Sequence, residues 1–411
     1  MRDTQLYQQI LGLSEPWTVT SVELDRSVGN VVVKVEPQPE AMFSCPTCET
    51  PAPGYDSRVR RWRHLDTCQY TTILEATVPR LSCPVHGVVT VTVPWAEPGS
   101  GFTGMFEALV IDWLHEASIQ AVARQFRVSW SSIDRIMARA VARGMARRAA
   151  LCPERLCVDE TSFQKRHEYV TVVTDPDAGF VLHVADDRKT ESLEQFYVGL
   201  DKAQKAAIRG VSMDMWPAFI TATRRHIPGA DSKISFDKFH VAKLLGDAVD
   251  KVRRHEQKAL LAQGVSVLKG SKYAWLTNPD NMSEAQHVRF TALRHSTLKT
   301  ARAWAIKDTA MQLWNYRSRA WAEEAWRRWL SWAQRCRLAP LQKVAKTIKR
   351  QLWGILNAIV LNLHNGHAES MNSRIQRIKH RACGFRNRAR FRNAIYFHLG
   401  GLKLYPAQHQ I

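Results

Sequence analysis

The sequence predicts an α/β protein in which a strand-and-helix domain is interrupted by an all-helical insertion and preceded by two small N-terminal modules. Three observations carry this. Three short Val- and Thr-rich runs between Leu156 and Asp187 are followed by alternating strand and helix as far as Asp237. The stretch from Val241 to Leu363 is almost wholly helical in pattern, and everything before Pro98 reads as short strands and turns carrying paired cysteines.

Each element has its own signal. Thr18 to Val35 has the β-branched composition of paired strands. Pro94, Pro98 and the PGSGFTG run ending at Gly104 read as a linker. From Phe106 to Arg148 the period is helical, with Ile119, Val122, Ala123 and Phe126 on one face and Ile133, Ile136, Met137, Ala140 and Val141 on the next. That spacing describes a short helix, a tight turn and a longer helix, whose start Ser129 or Ser131 would cap by accepting from an exposed backbone N–H.

After Leu156 come LCVDETSF, YVTVVTDP and GFVLHVADD, an antiparallel meander with its second turn at Asp175, Pro176, Asp177 and Gly179. A helix bearing Leu193, Phe196 and Leu200, a strand ending at Asp214, a helix opened by Pro217 and the strand KISF before Asp237 complete the alternation. The helical stretch holds eight of the 14 Trp residues, and their spacing fits bundle core better than a base-stacking surface.

Composition narrows the function classes. The 411 residues are 45% apolar, enough for two to four domains and too much for a disordered chain. Lys and Arg number 58 against 38 acids, a formal charge of +20, and the cations bunch at Arg143–Arg155, Lys251–Arg254 and Arg374–Arg392. Clustered cations point to a polyanion, and to nucleic acid first. No apolar run nears the roughly 20 residues of a membrane span, and MRDTQLYQQILGL lacks the core of a signal peptide, so a soluble intracellular protein without a membrane partner is expected. Eight cysteines in so long a chain do not make a disulfide scaffold; close pairs point instead to metal.

Cys45-Pro-Thr-Cys48 and Cys83-Pro-Val-His86 are two such pairs. Each short turn brings two ligands to one side of a knuckle, and two knuckles close a tetrahedral Zn²⁺ shell with no open position, a structural site. His64 and Cys68 lie between the pairs, and either could replace His86. The helix pair Ser118 to Arg143 resembles a helix-turn-helix, whose second helix would present Trp130, Ser131, Ser132, Asp134 and Arg135 to DNA. Asp159 and Asp214 end apolar strands, and Glu369 opens a polar helix in NGHAESMNSRIQRIKHRACGFRN that runs into basic sequence. By residue type alone, Glu160, Asp186, Asp187 and Asp237 are equal candidates for chemistry, since most strand-end acids only cap turns.

Three meandering strands followed by strand and helix alternation is also the order of an RNase H-like domain, although periodicity itself establishes only a mixed α/β domain. VDETSF, SMDMWPAF, FDKFHVAK and NGHAESMNSRIQRIK...GFRN, in this order, resemble the transposases of the insertion-sequence family named after the ISL-three element, within the DDE transposases. The resemblance covers Cys45 to Leu402 and implies an RNase H-like domain with Asp159, Asp214 and Glu369 as the catalytic triad, an N-terminal zinc-binding region and a helical insertion before the Glu. Such a triad holds two Mg²⁺ ions, or Mn²⁺ in their place, about 4 Å apart for phosphodiester hydrolysis and strand transfer. Asp237 and His240 resemble the Asp-x-x-His element of several transposase groups; His240 is expected beside the DNA, and neither as a metal ligand. His86 departs from the pattern, where a fourth cysteine is expected.

The expected limits are 1–98 for the zinc-binding domain, 99–150 for the helix-turn-helix, 151–252 and 356–411 for the two parts of the catalytic domain, and 253–355 for the insertion. Arg374, Arg377, Lys379 and Arg386 would hold phosphates beside the catalytic helix. Double-stranded DNA, both inverted-repeat ends and target, is the expected partner of a homodimer in the bacterial nucleoid. The competing readings are a domesticated DNA-binding regulator and an RNase H-like nuclease without strand transfer.

Overall fold

The computed structural model describes residues 2–164, 168–277, 281–363 and 366–407. The chain divides into two compact units: one from the N-terminus to Ala149 with Arg381–Cys383 and the segment from Ala389 onward, the other Ala150–His380 with Gly384–Arg388.

The first unit opens with a helix that the sequence reading did not anticipate, α1 (Asp3–Ile10). Its docking rests on Gln8, whose amide donates to the Leu13 and Trp17 carbonyls and accepts from the Val19 N–H. Strands β1 (Trp17–Asp25), β2 (Asn30–Pro37), β3 (Gly54–Arg63), β4 (Thr71–Cys83) and β5 (Gly87–Thr90) form one sheet, ordered β1-β2-β4-β3 with β5 also on β4. Period-two burial puts Val31, Val33 and Val35 of β2 and Leu74, Ala76 and Val78 of β4 in the core.

The expected linker is instead part of this core. Trp95 packs edge-on against Trp17 and Trp62 at centroid distances of 5.0 and 5.4 Å, and Thr103 is buried with its hydroxyl on His64 Nδ1 at 2.9 Å. Residues 1–98 and 99–149 therefore form one body. Thr103 also caps α2 (Gly104–Glu116), Ser118 caps α3 (Ile119–Gln125), and Ser129, one of the two expected candidates, caps α4 (Trp130–Ala146). The buried Glu107 of α2 accepts from Arg139 and Arg143 of α4 at 2.5 and 3.1 Å, so a paired charge, and not a bare one, fixes the helix crossing.

In the second unit the meander is β6 (Arg155–Gln164), β7 (Glu168–Asp175) and β8 (Phe180–Asp186), as its alternation requires. There follow α5 (Thr190–Val198), α6 (Lys202–Ala207), β9 (Gly210–Met213), α7 (Pro217–His226), α8 (Ala230–Lys233) and β10 (Ile234–Phe236). The sheet order is β10-β9-β6-β7-β8, with β6, β9 and β10 parallel. A meander extended on its first strand by two parallel strands is the RNase H-like arrangement.

The helical stretch comprises α9 (Lys238–Leu261), α10 (Lys272–Leu276), α11 (Glu284–Arg294), α12 (Lys299–Gln312), α13 (Arg319–Arg335) and α14 (Ala339–Leu361), and α15 (Gly366–Arg381) follows. Neither expected border of the insertion is a linker, because α9 and α14 run straight through them. Both helices share one apolar core with the sheet. Gly354 lets α14 approach β10 closely, since a Cβ there would meet the Phe236 ring at 2.4 Å. Three residues on, the buried Asn357 donates to the Asp231 and Ile234 carbonyls at 2.7 and 2.8 Å. Trp275, Trp304, Trp326 and Trp329 are core, as expected, whereas Trp321 and Trp332 are exposed. Among the described residues no helix is long and apolar enough to cross a membrane.

Candidate metal centres and nucleic-acid interface

Strand register builds the acidic centre. Cys157 of β6 pairs with Ser212 of β9, so two residues further on Asp159 comes level with Asp214; Phe236 of β10 pairs with Met213, which brings Asp237 level with Asp214 from the other side. Three acids thus stand in a row across three parallel strands. Asp159, Asp214 and His240 each offer a ligand atom within 4.8 Å of the others. The His240 ring lies between two carboxylates, with Nδ1 3.6 Å from Asp214 and Nε2 3.9 Å from Asp237. From sequence His240 is expected beside the DNA and not as a ligand; the first turn of α9 brings its ring next to these carboxylates.

The electrostatics are those of crowded anions. Burial pushes the Asp159 carboxyl up to about 7, and Asp214 and Asp237 add to the shift. Burial also raises Asp214, with His240 opposing. Asp214 Oδ1 is buried and meets no hydrogen-bond donor among the described residues. A buried, unpartnered carboxylate oxygen beside a second acid is unfavourable in isolation and is relieved by a cation, so these residues fit a hard divalent metal.

Helix α15 closes the centre through a polar stripe of which sequence reasoning named only Lys379, and that as a phosphate contact. Asn372 Nδ2 donates to Asp159 Oδ2 at 2.7 Å, Gln376 Nε2 to Thr161 Oγ1 at 2.8 Å, and Lys379 Nζ to the Ser162 carbonyl at 3.0 Å. The steps of four and three residues put all three on one helix face, and that spacing was the available signal. Glu369, in the first turn, is exposed and outside the tight cluster. Its charged neighbours are Asp237 and His240, and burial followed by Asp237 raises its carboxyl above the ordinary range. The amino end of α15 therefore faces the acid row, with Glu369 at its rim.

The Cys/His pairs converge. Cys48 Sγ lies 3.7 Å from Cys83 Sγ, and His86 Nδ1 lies 3.6 Å from both Cys45 and Cys83. A tetrahedron with Zn–S bonds of about 2.3 Å has edges of about 3.8 Å, so the four atoms already have the spacing of a zinc shell. Hydrogen bonds from Thr50 lower the Cys48 thiol below its ordinary range, in the direction that suits a metal ligand. His64 is committed to Thr103, and Cys68 is exposed outside the cluster, so His86 is the fourth member.

At the helix-turn-helix, Ser131 and Arg135 are exposed at the start of α4, with Ser132 half-buried beside them. Trp130 carries the Arg390 guanidinium 4.7 Å from its ring centroid, and Arg390 pairs with Asp134 at 2.9 Å. Thus the C-terminal helix Arg388–Leu399, expected with the catalytic domain, belongs from Ala389 to the first unit and places a cation at the candidate reading helix. In the basic run Arg377 and Arg386 are exposed and Arg374 is half-buried; Lys379 is engaged in tying α15 to β6.

A Cys/His knuckle pair, a helix-turn-helix and an RNase H-like sheet with carboxylates at the ends of its central strands together define a DDE-type DNA-processing enzyme. The comparisons are more specific. A family model of ISL3-type DDE domains, described as "Transposase", matches residues 156–395, and the chain belongs to that transposase family. Two further models match upstream: the helix-turn-helix domain of transposase family ISL3 over 91–141, and the zinc-finger of transposase IS204/IS1001/IS1096/IS1165 over 42–86. The chain is 29% identical to a transposase for insertion sequence element IS1557 from Mycobacterium tuberculosis, covering 94% of this chain and 93% of the relative. It is 28% identical to the transposase for insertion sequence element IS1001 from Bordetella parapertussis, over 95% and 97% of the two chains.

Proposed function

We propose that this protein binds the terminal inverted repeats of its own insertion sequence and performs cleavage and strand transfer at a centre formed by Asp159, Asp214 and Glu369. The observation that supports the reading most is the level placement of Asp159 and Asp214 on adjacent parallel strands, with a buried Asp214 oxygen that meets no donor among the described residues. Asp159 and Asp214 would hold one Mg²⁺, and Asp159 with Glu369 a second, Mn²⁺ being an acceptable substitute. When bound, such ions lower the pKa of an attacking hydroxyl and offset charge on the leaving oxygen.

The residues themselves do the positioning. Asn372 fixes the Asp159 carboxylate by its donated hydrogen bond, and His240 screens Asp214 from Asp237. Glu369, on a rim that strand pairing does not fix, closes on the centre when DNA is present. Arg374, Arg377 and Arg386 carry phosphates of the strand leading away. The Cys45, Cys48, Cys83 and His86 cluster holds structural Zn²⁺, and Ser131, Ser132 and Arg135 at the start of α4 read the repeat from the major groove, with Trp130 beside them. Two ends must be paired, so a homodimer forms on DNA, in the nucleoid of a bacterial cytoplasm.

The test is Asp214→Asn with DNA from the element's end. It should keep repeat binding within about twofold and lose at least about a thousandfold in cleavage. Retained cleavage removes Asp214 from the centre. Cleavage by the unaltered protein without joining to a target plasmid would make it a nuclease.

A further inference from the structure

One arginine beside the acid row is held more firmly than a surface ion pair requires. The Arg188 guanidinium carbon lies 4.6 Å from the Trp216 ring centroid and 4.9 Å from that of Tyr169. Its Nη1 reaches both oxygens of Glu160, at 3.1 and 3.4 Å, and the Trp216 indole N–H donates to the Arg188 carbonyl at 3.0 Å. Glu160 follows Asp159 and Trp216 is two residues beyond Asp214, so both supports are chain neighbours of the acidic centre.

The arrangement has the features of a binding post. Among the described residues, Arg188 Nε and Nη2 donate to no protein group. The side chain is 38% exposed on a cleft of about 510 Å³ that it lines with Tyr169, Lys189 and Trp216. Asp187 and Glu191 also line the cleft; Lys189 and Arg388 lie 3.8 and 3.2 Å from Asp187 and offset its charge, which leaves Glu191 as the one acid of the cleft with no ion-pair partner among the described residues. An exposed Arg–Glu pair contributes little by itself. A guanidinium stacked on two rings, however, has already lost its rotamer freedom and keeps a planar donor edge for a phosphate.

We infer that Arg188 binds a backbone phosphate of the DNA strand in the acidic centre, next to the phosphate being cut. This rests on the function proposed above. A strand brought against three carboxylates meets repulsion, and a fixed cation held on Glu160, whose charge is felt at Asp214, offsets it. Tyr169, Trp216 and Glu160 act as positioning residues for that cation.

The experiment measures binding, not activity. Duplexes from the element's end carry a neutral methylphosphonate at one phosphate at a time around the cut, and affinity is read by fluorescence anisotropy. One position should weaken the unaltered protein roughly tenfold. Arg188→Gln should bind normal DNA roughly tenfold less tightly, be indifferent to that position, and lower the slope of log affinity against log salt by about 0.9. Trp216→Phe should keep the sensitivity and Trp216→Ala should lose most of it, a pair that guards against misfolding of the arginine variant. Arg188→Gln as sensitive as the unaltered protein, or an unaltered protein indifferent at every position, overturns the inference. Failure of the unaltered protein to bind end DNA overturns the function proposed above, and this inference with it.

Discussion

The Cys45–His86 cluster and the Asp159–Asp214 centre both gather metal-ligating side chains, yet they are assembled by opposite means. The first takes its four ligands from two short turns, and its sulfur and imidazole atoms stand at tetrahedral spacing. The second takes acids from three strands, leaves Asp214 Oδ1 without a donor among the described residues, and keeps Glu369 on a separate helix. A closed soft site contributes to folding. An open hard site costs stability until a cation or substrate arrives, and that cost is what makes it reactive.

The contrast can be broken most forcefully by removing metal. Chelation of zinc, or Cys48→Ser, should unfold the first unit, since structural zinc contributes on the order of 10 kcal/mol at neutral pH. Hydrogen exchange should show protection lost in β3, β4 and β5 while β6 to β10 keep theirs. Equal loss in both units would mean the knuckle pair is not an independent foundation.

Opposite pH responses sharpen the comparison. His64 is held near 4 by burial, against 6.5 ordinarily. The unfolded chain therefore binds more protons between these values, and the first unit loses stability as pH falls from 6.5 to 4, by about 3 kcal/mol. Asp159 is raised from 3.8 to about 7. Here the folded state binds more protons, so without metal the second unit loses stability as pH rises through that window, by up to about 4 kcal/mol. Asp159→Asn should remove this slope and make the metal-free protein more stable at pH ~8 by about 1–3 kcal/mol. Denaturant melts read by regional exchange check both signs, and the same direction in both units would refute the scheme.

The smallest effect concerns the caps. Ser129→Ala removes the acceptor for the Ser132 N–H and should destabilise α4 by about 1 kcal/mol, while leaving both metal clusters intact. A change in zinc content would mean that α4 is coupled to the knuckles more tightly than its cap implies.

Much of this was legible in advance. The meander, the strand carrying Asp214, the Pro217 helix start and the Cys/His pairs are local signals, readable from two- or four-residue periods. What was missed depends on distant partners. Trp95 and Thr103 looked like linker because Pro and Gly surround them, but Trp17, Trp62 and His64 bury them. Asn372 and Gln376 looked like ordinary helix surface until β6 supplied their acceptors. The C-terminal helix was assigned by chain proximity, whereas Arg390 pairs with Asp134 far upstream.

The amino-acid order alone therefore determined the strand and helix periods, the zinc-ligand spacing and the ordered motifs that mark the family. Tertiary structure decided that His86 and not His64 joins the cysteines, that His240 enters the acid row, and that Arg188 is stacked beside it. The physical reason is range: side-chain periodicity is fixed within a few bonds along the chain, but a shared ligand atom or a common field requires closeness in space, which only the register of β6, β9 and β10 and the packing of helices upon them supply.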